Sequence, residues 1–236
     1  MVDGRTAPTN RPRVLVVDDA TQTRDTFALA YPALELVGAY AGVEALLADG
    51  LAADLVVLDL QLSTGPGTPP MQGPAAIKEL CERGYRVCVY TDERRLLVLA
   101  HCFAAGAIGL VRKSDPLAHN QASFLNVAAG RTVVPSSMVG LAQLLGRRGR
   151  LPELTPRQIE VLTARARGET WDALARRLGI TPKTAYDRLE AAMAKMVWYL
   201  RDVGLGPSAS PGDIERALGL SPGDLSEPGR SRDRSG

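Results

Sequence analysis

The chain has 236 residues, 45% of them hydrophobic, 23% charged, with a net charge of +2. That length suits one large domain or two small ones. No apolar run approaches the roughly 18 residues that span a bilayer, and no charged start followed by an apolar stretch marks a signal peptide, so the expectation is a cytoplasmic protein with no membrane partner.

The small net charge hides a division. Residues 1–130 carry 11 Lys and Arg against 14 Asp and Glu, residues 131–203 carry 13 against 7, and residues 204–236 carry 4 against 5. Only the middle segment is basic, as expected if one module meets a polyanion and another does not. Cys81, Cys88 and Cys102 lack metal-type spacing and read as small buried hydrophobes in a reducing compartment. His101 and His119 are isolated and carry no expected role. No nucleophile–base pair, zinc spacing or dinucleotide glycine pattern is present, so no enzymatic turnover of a diffusible substrate is expected.

Residues 1–12 hold little to bury and read as a disordered tail. Arg13 to Val17 is a buried strand ending in Asp18 and Asp19. Thr21 to Ala30 is a helix stopped by Pro32. Leu34 to Tyr40 is a second strand, and Val43, Leu46 and Leu47 make a helical face ended at Gly50. Leu55 to Asp59 is a third strand, aliphatic except for the carboxylate at its end. A Gly- and Pro-rich loop leads to a helix over Pro74 to Arg83. A fourth strand, Arg86 to Tyr90, precedes Thr91. A helix over Arg94 to Ala105, a fifth strand from Ile108 to Val111, Lys113, and a helix over Pro116 to Ala129 follow. Five strands alternating with five helices imply a parallel, doubly wound α/β sheet. Sites in such sheets form at the carboxyl ends of the strands. Asp18, Asp19, Asp59, Thr91 and Lys113 all follow strands there.

The pieces Val17-Asp18-Asp19, Val57-Leu58-Asp59, Val89-Tyr90-Thr91 and Gly106 to Lys113 resemble a response-regulator receiver domain over residues 13–130. The resemblance implies Asp59 as phosphoacceptor, Asp18, Asp19 and Asp59 as a Mg²⁺ site, and Thr91 and Lys113 as phosphoryl contacts and switch residues. The residue types suit those roles. Carboxylates form a hard oxygen site for Mg²⁺, lysine supplies a compact positive charge, and phosphoryl transfer needs mainly positioning and charge neutralisation. Two departures stand out. Leu110 replaces the aromatic residue that receivers carry three positions before the lysine, and Ser63 to Pro70 lengthens the loop after the phosphoacceptor. An intact acceptor with an altered readout is expected, with phosphorylation not necessarily the main switch.

Residues 131–152 read as a linker, with a helical turn or two over Met138 to Leu145. An all-α unit is expected at 153–203. Thr155 with Pro156 caps its first helix, Thr170 its second, and Thr181 with Pro182 its third. Ala185, Leu189, Ala192 and Met196 form a buried stripe on the third, and the Leu178-Gly179-Ile180-Thr181 turn makes a helix-turn-helix. Leu154 to Arg157, Val161-Leu162, Gly168, Leu174-Ala175, Leu178, Thr184 and Lys195 resemble the LuxR-type helix-turn-helix of the NarL/FixJ class. The third helix would then read DNA, with Arg176, Arg177, Thr181, Lys183, Thr184, Tyr186, Asp187 and Arg188 as interface residues. Arg188 could read guanine, and Lys183 or the Arg176–Arg177 pair could meet phosphates. Ala185, Tyr186 and Arg188 depart from the usual residues, Asp187 and Glu190 would repel phosphates, and Trp171 stands where a small polar residue is usual.

That third helix is expected to run to about Val203. Ser210 to Asp213 starts a short helix, Ile214 to Leu218, in a 204–236 tail that is otherwise flexible from 221. The whole reads as a transcriptional response regulator of a two-component system. The implied partners are duplex DNA, a sensor histidine kinase, a second copy of the chain, and RNA polymerase. Two alternatives remain open: an atypical regulator controlled by ligand, partner or abundance without phosphorylation, or an adaptor whose helix-turn-helix binds a protein such as a sigma factor.

Overall fold

The computed structural model describes residues 11–62, 71–151 and 153–222. The expected flexibility of 223–236 and of residues 1–10, and the lengthened loop at 63–70, lie outside them.

Five strands, β1 (Arg13–Val17), β2 (Glu35–Tyr40), β3 (Leu55–Leu58), β4 (Val87–Thr91) and β5 (Gly109–Arg112), form one parallel sheet in the order β2-β1-β3-β4-β5. Their side chains alternate between faces, as a period of two requires. Leu15, Val17, Val56, Leu58, Val87 and Val89 face one side. There α2 (Val43–Asp49), α3 (Gly73–Glu82) and α4 (Leu96–Ala104) contribute Leu46, Ile77, Leu80, Leu99 and Phe103. Val14, Val16, Leu55, Val57, Cys88 and Tyr90 face the other side, against Phe27 of α1 (Thr21–Ala30) and Phe124 of α5 (Leu117–Ala128). Double coverage explains why β3 and β4 read as unbroken apolar runs.

The sheet order reverses at β1, which pairs with β2 on one edge and β3 on the other. Val17 and Leu58 are register partners, so the residues that follow them, Asp18 and Asp59, emerge side by side. The Asp59 amide donates to the Val17 carbonyl at 2.8 Å and fixes that adjacency. The switch point thus builds the mouth of the site.

Five further helices follow: α6 (Val139–Arg147), α7 (Pro156–Ala166), α8 (Trp171–Leu178), α9 (Pro182–Asp202) and α10 (Pro211–Ala217). Thr155, Thr170, Thr181 and Ser210 are N-caps whose hydroxyls accept from the amide three residues on. Gly179 takes the left-handed conformation (φ 64°) that closes the turn between α8 and α9, a geometry costly for other residues.

The stretch read as a linker contains more order than its Gly and Arg content suggested. Val139, Leu141, Ala142 and Leu145 of α6 are buried and join the core of α7 and α9. A second feature goes beyond the sequence reading: α9 packs along α4. Met193, Met196, Val197 and Leu200 extend the apolar face of α9 into the core of the receiver-like unit. Arg201 donates to the Gly106 carbonyl at 3.1 Å, and His101 bonds the Gly206 carbonyl at 2.5 Å. Isolated His101 therefore serves as a buried tether. Cys88 and Cys102 are buried and Cys81 partly so, all free thiols.

Candidate functional site

Asp18 ends β1, Asp59 ends β3, Thr91 closes β4 and Lys113 follows β5. One carboxylate oxygen from each of Asp18, Asp19 and Asp59 lies within 4.8 Å of the others. Asp18 and Asp59 are buried, and Asp19 is half-buried. Lys113 Nζ donates to Asp18 Oδ2 at 2.7 Å and to Asp59 Oδ2 at 2.8 Å. The remaining acceptors are occupied from the backbone: Asp18 Oδ1 accepts from the Ala20 amide at 2.9 Å, and Asp59 Oδ1 from the Gln61 amide at 3.4 Å. Arg24 donates to the carbonyls of Asp18 and Asp19 and pins the loop that carries them.

Burial pushes the Asp59 carboxyl above its ordinary range; Lys113 pulls it down and Asp18 pushes it up. For Lys113, burial works against the ammonium, but the bonds and charges of Asp18 and Asp59 outweigh it and raise its pKa. The pocket therefore concentrates negative charge that a single lysine offsets incompletely. Three clustered carboxylates are the donor set that suits a hard divalent cation such as Mg²⁺, which keeps waters and takes phosphate oxygens as further ligands.

Thr91 is buried, and its hydroxyl accepts from the Glu93 amide at 3.2 Å. The Asp92 carboxylate accepts from the Ser114 amide at 3.1 Å, tying the loops that carry Thr91 and Lys113. Leu110, which stands three positions before Lys113, is packed in the core. The aromatic residues sit instead on the opposite sheet face. The Tyr90 and Tyr31 hydroxyls are 2.8 Å apart beside Phe27 and Phe124.

On the helix-turn-helix, Lys183, Tyr186, Asp187, Glu190 and Ala191 are exposed along α9. Arg176 and Arg177 are exposed at the end of α8. Much of the positive charge is engaged. Lys183 Nζ donates to both Asp187 oxygens at 2.9 Å, and Arg177 donates to Glu160 at 2.8 Å and Glu169 at 3.0 Å. Arg176 donates only a 3.3 Å bond to the Asp172 carbonyl among the described contacts. Thr181 and Thr184 share a 2.8 Å hydroxyl contact at the start of α9. Arg188 is half-buried with an enclosed Nη1 that lacks a partner among the described residues, so it is less available to a base edge than its sequence position suggested. The Lys183–Asp187 spacing of four was visible in the sequence as a helical ion pair.

No protein-family model matches the chain. The response regulator RamR of Streptomyces coelicolor is 29% identical over 150 residues, covering 64% of this chain and 70% of that protein. A Pseudomonas aeruginosa protein assigned to transcriptional regulation is 29% identical over 196 residues, covering 78% of this chain and 90% of that protein. Among solved structures, the Salmonella typhimurium response regulator RcsB superposes with a TM-score of 0.50 at 20% identity, covering 82% of this chain and 97% of RcsB. The likeness to RcsB is one of fold: a parallel α/β unit followed by a helical unit.

Proposed function

We propose that this chain, a response regulator of the NarL/FixJ class by its two-unit fold and its curated relatives, binds duplex DNA and is switched by phosphorylation of Asp59. The observation that carries the reading is the convergence of Asp18, Asp19 and Asp59 at the sheet's switch point, with Lys113 bridging two of them. An Asp59 oxygen attacks phosphorus, the donor's leaving group departs, and an acyl phosphate forms. Lys113 then exchanges a carboxylate for the transferred phosphoryl oxygens, and the Thr91 hydroxyl donates to another. Asp18, Asp19 and Asp59 would hold Mg²⁺, which supplies the positive charge that lets an anionic phosphoryl group approach an anionic pocket. The donor is a histidine kinase.

Release of Lys113 from Asp18 and Asp59 disturbs the loop after β5, and α4 and α5 on either side of it carry the change to the helical unit. The exposed end of α8 and the first half of α9 form the DNA face. Two copies would read two half-sites, with RNA polymerase as the downstream partner. The fold and the relatives support regulation of transcription; they carry no base preference, because Tyr186, Asp187 and Glu190 occupy the reading face.

The test is intact-mass spectrometry after incubation with acetyl phosphate and Mg²⁺. One phosphoryl group is expected on the wild type and none on Asp59→Ala. No gain on the wild type would move the pocket to another role. The charge pairing on α9 favours a second reading, in which the helix-turn-helix docks on a protein such as a sigma factor. Binding to random duplex DNA that weakens with salt would count against it, since phosphate contacts release counterions.

A further inference from the structure

β5 is the outer strand of the sheet, and the chain after α5 covers only its first half. The Leu110 amide donates to the Val133 carbonyl and the Val133 amide to the Ile108 carbonyl, each at 3.0 Å. Beyond Leu110 the covering segment turns away toward the short helical turn at Ser136–Met138. The result is a cleft of about 620 Å³ between the β5–α5 side of the sheet and the helix-turn-helix. Cavities that hold small molecules occupy about 300–1,000 Å³ and favour the seam between two units.

The walls differ in chemistry. Trp171 and Tyr186 present their rings edge to face at 5.6 Å from the helical unit. Arg165 lies over the Trp171 ring at 4.3 Å. Arg112 and Ser123 line the opposite side. Arg112 Nε is shielded from solvent and has no hydrogen-bond partner among the described residues. The Arg112 side chain also lines the cleft, where an anionic acceptor would offset the guanidinium charge. Glu190 also faces the cleft, so a cationic or neutral polar end would sit there and the acceptor at the Arg112 end. Trp171 and Tyr186 are two of the residues at which the helix-turn-helix departs from its class. They meet in this one place.

We infer that the cleft is a binding site for a flat aromatic small molecule bearing an acidic acceptor group, packed against the Trp171–Tyr186 pair and paired with Arg112. Tyr186 and Glu190 also belong to the exposed face of α9, so an occupant and a duplex compete for the same side chains. This last consequence rests on the DNA-binding reading; the site itself does not.

The probe is 1-anilinonaphthalene-8-sulfonate, titrated into the full chain and followed by its fluorescence and by calorimetry. Saturable binding of one equivalent is expected, weakened at least tenfold in Arg112→Gln and in Trp171→Leu and unchanged in Trp198→Leu. The uncharged N-phenyl-1-naphthylamine should bind the wild type and Arg112→Gln equally. Circular dichroism verifies that each variant is folded. Binding that does not saturate, or equal affinity of folded Arg112→Gln for the sulfonate, overturns the site. Saturating probe should weaken DNA binding by the wild type at least tenfold in a gel-shift assay. Unchanged DNA affinity with the cleft filled overturns the competition, whereas absence of any DNA binding would overturn the functional reading and leave the site standing.

Discussion

Replacing Lys113 by methionine isolates the electrostatic cost of the acidic pocket. The stem keeps its packing and the ammonium between Asp18 and Asp59 is lost. Removing one partner of a fully buried ion pair costs about 3–5 kcal/mol, because the other charge stays behind unpaired. The Lys113 side chain is 23% exposed, so solvent screens part of the interaction and the expected cost is about 2–3 kcal/mol. At roughly 3–4 °C per kcal/mol, the melting temperature should fall by about 6–12 °C at neutral pH in the presence of a chelator. Adding Asp59→Asn to the same chain removes one of the two stranded charges and should restore about half of the loss, and Mg²⁺ titrated into the single variant should also raise its melting temperature. The pH dependence has a definite sign. The folded-state pKa of Asp59 is raised, with burial the largest cause. Its ionisation therefore costs native stability. That penalty is absent below the unfolded carboxylate pKa and complete once pH exceeds the native one. The deficit of Lys113→Met should accordingly shrink toward acid. An unchanged melting temperature, or a deficit that Asp59→Asn leaves in place, would refute the picture of an under-neutralised pocket.

Further outcomes follow from the helical unit. Asp187→Asn combined with Glu190→Gln frees Lys183 and removes two phosphate-repelling charges; affinity for random duplex DNA should rise about tenfold in an anisotropy titration and depend more steeply on salt. Arg176→Ala should weaken binding evenly across sequences and reduce the salt slope by about 1. Thr155→Ala removes the hydroxyl that accepts from the Gln158 amide at the start of α7, leaves the backbone half of the capping box in place, and should cost about 1 kcal/mol in chemical denaturation.

Much of this architecture is legible in the chain. The aliphatic runs of β1, β3 and β4 declare a sheet covered on both faces, and strand-end carboxylates in such a sheet must converge at its switch point. The helix starts at Thr155, Thr170 and Thr181 are equally plain, because a threonine hydroxyl ahead of an amphipathic run meets a local need that the structure satisfies locally. What escaped depends on distant partners. The apolar residues of α6 are diluted by Gly140, Gly146 and Arg147, so its pattern gains meaning only against α7 and α9. The burial of Val197 and Leu200 is set by α4, roughly a hundred residues away. Arg112 and Trp171 share a cleft that no spacing in the sequence encodes. Arg188 is drawn partly inward, although helical periodicity alone placed it on the outer face.

The most direct test of the central claim couples the acidic pocket to DNA. Duplex affinity is measured with and without acetyl phosphate and Mg²⁺ for the wild type and for Asp59→Asn, with phosphoryl occupancy read by mass in the same samples. A change of affinity in the wild type that tracks occupancy and vanishes in Asp59→Asn is the predicted result. Full occupancy of Asp59 with unaltered DNA binding would contradict it.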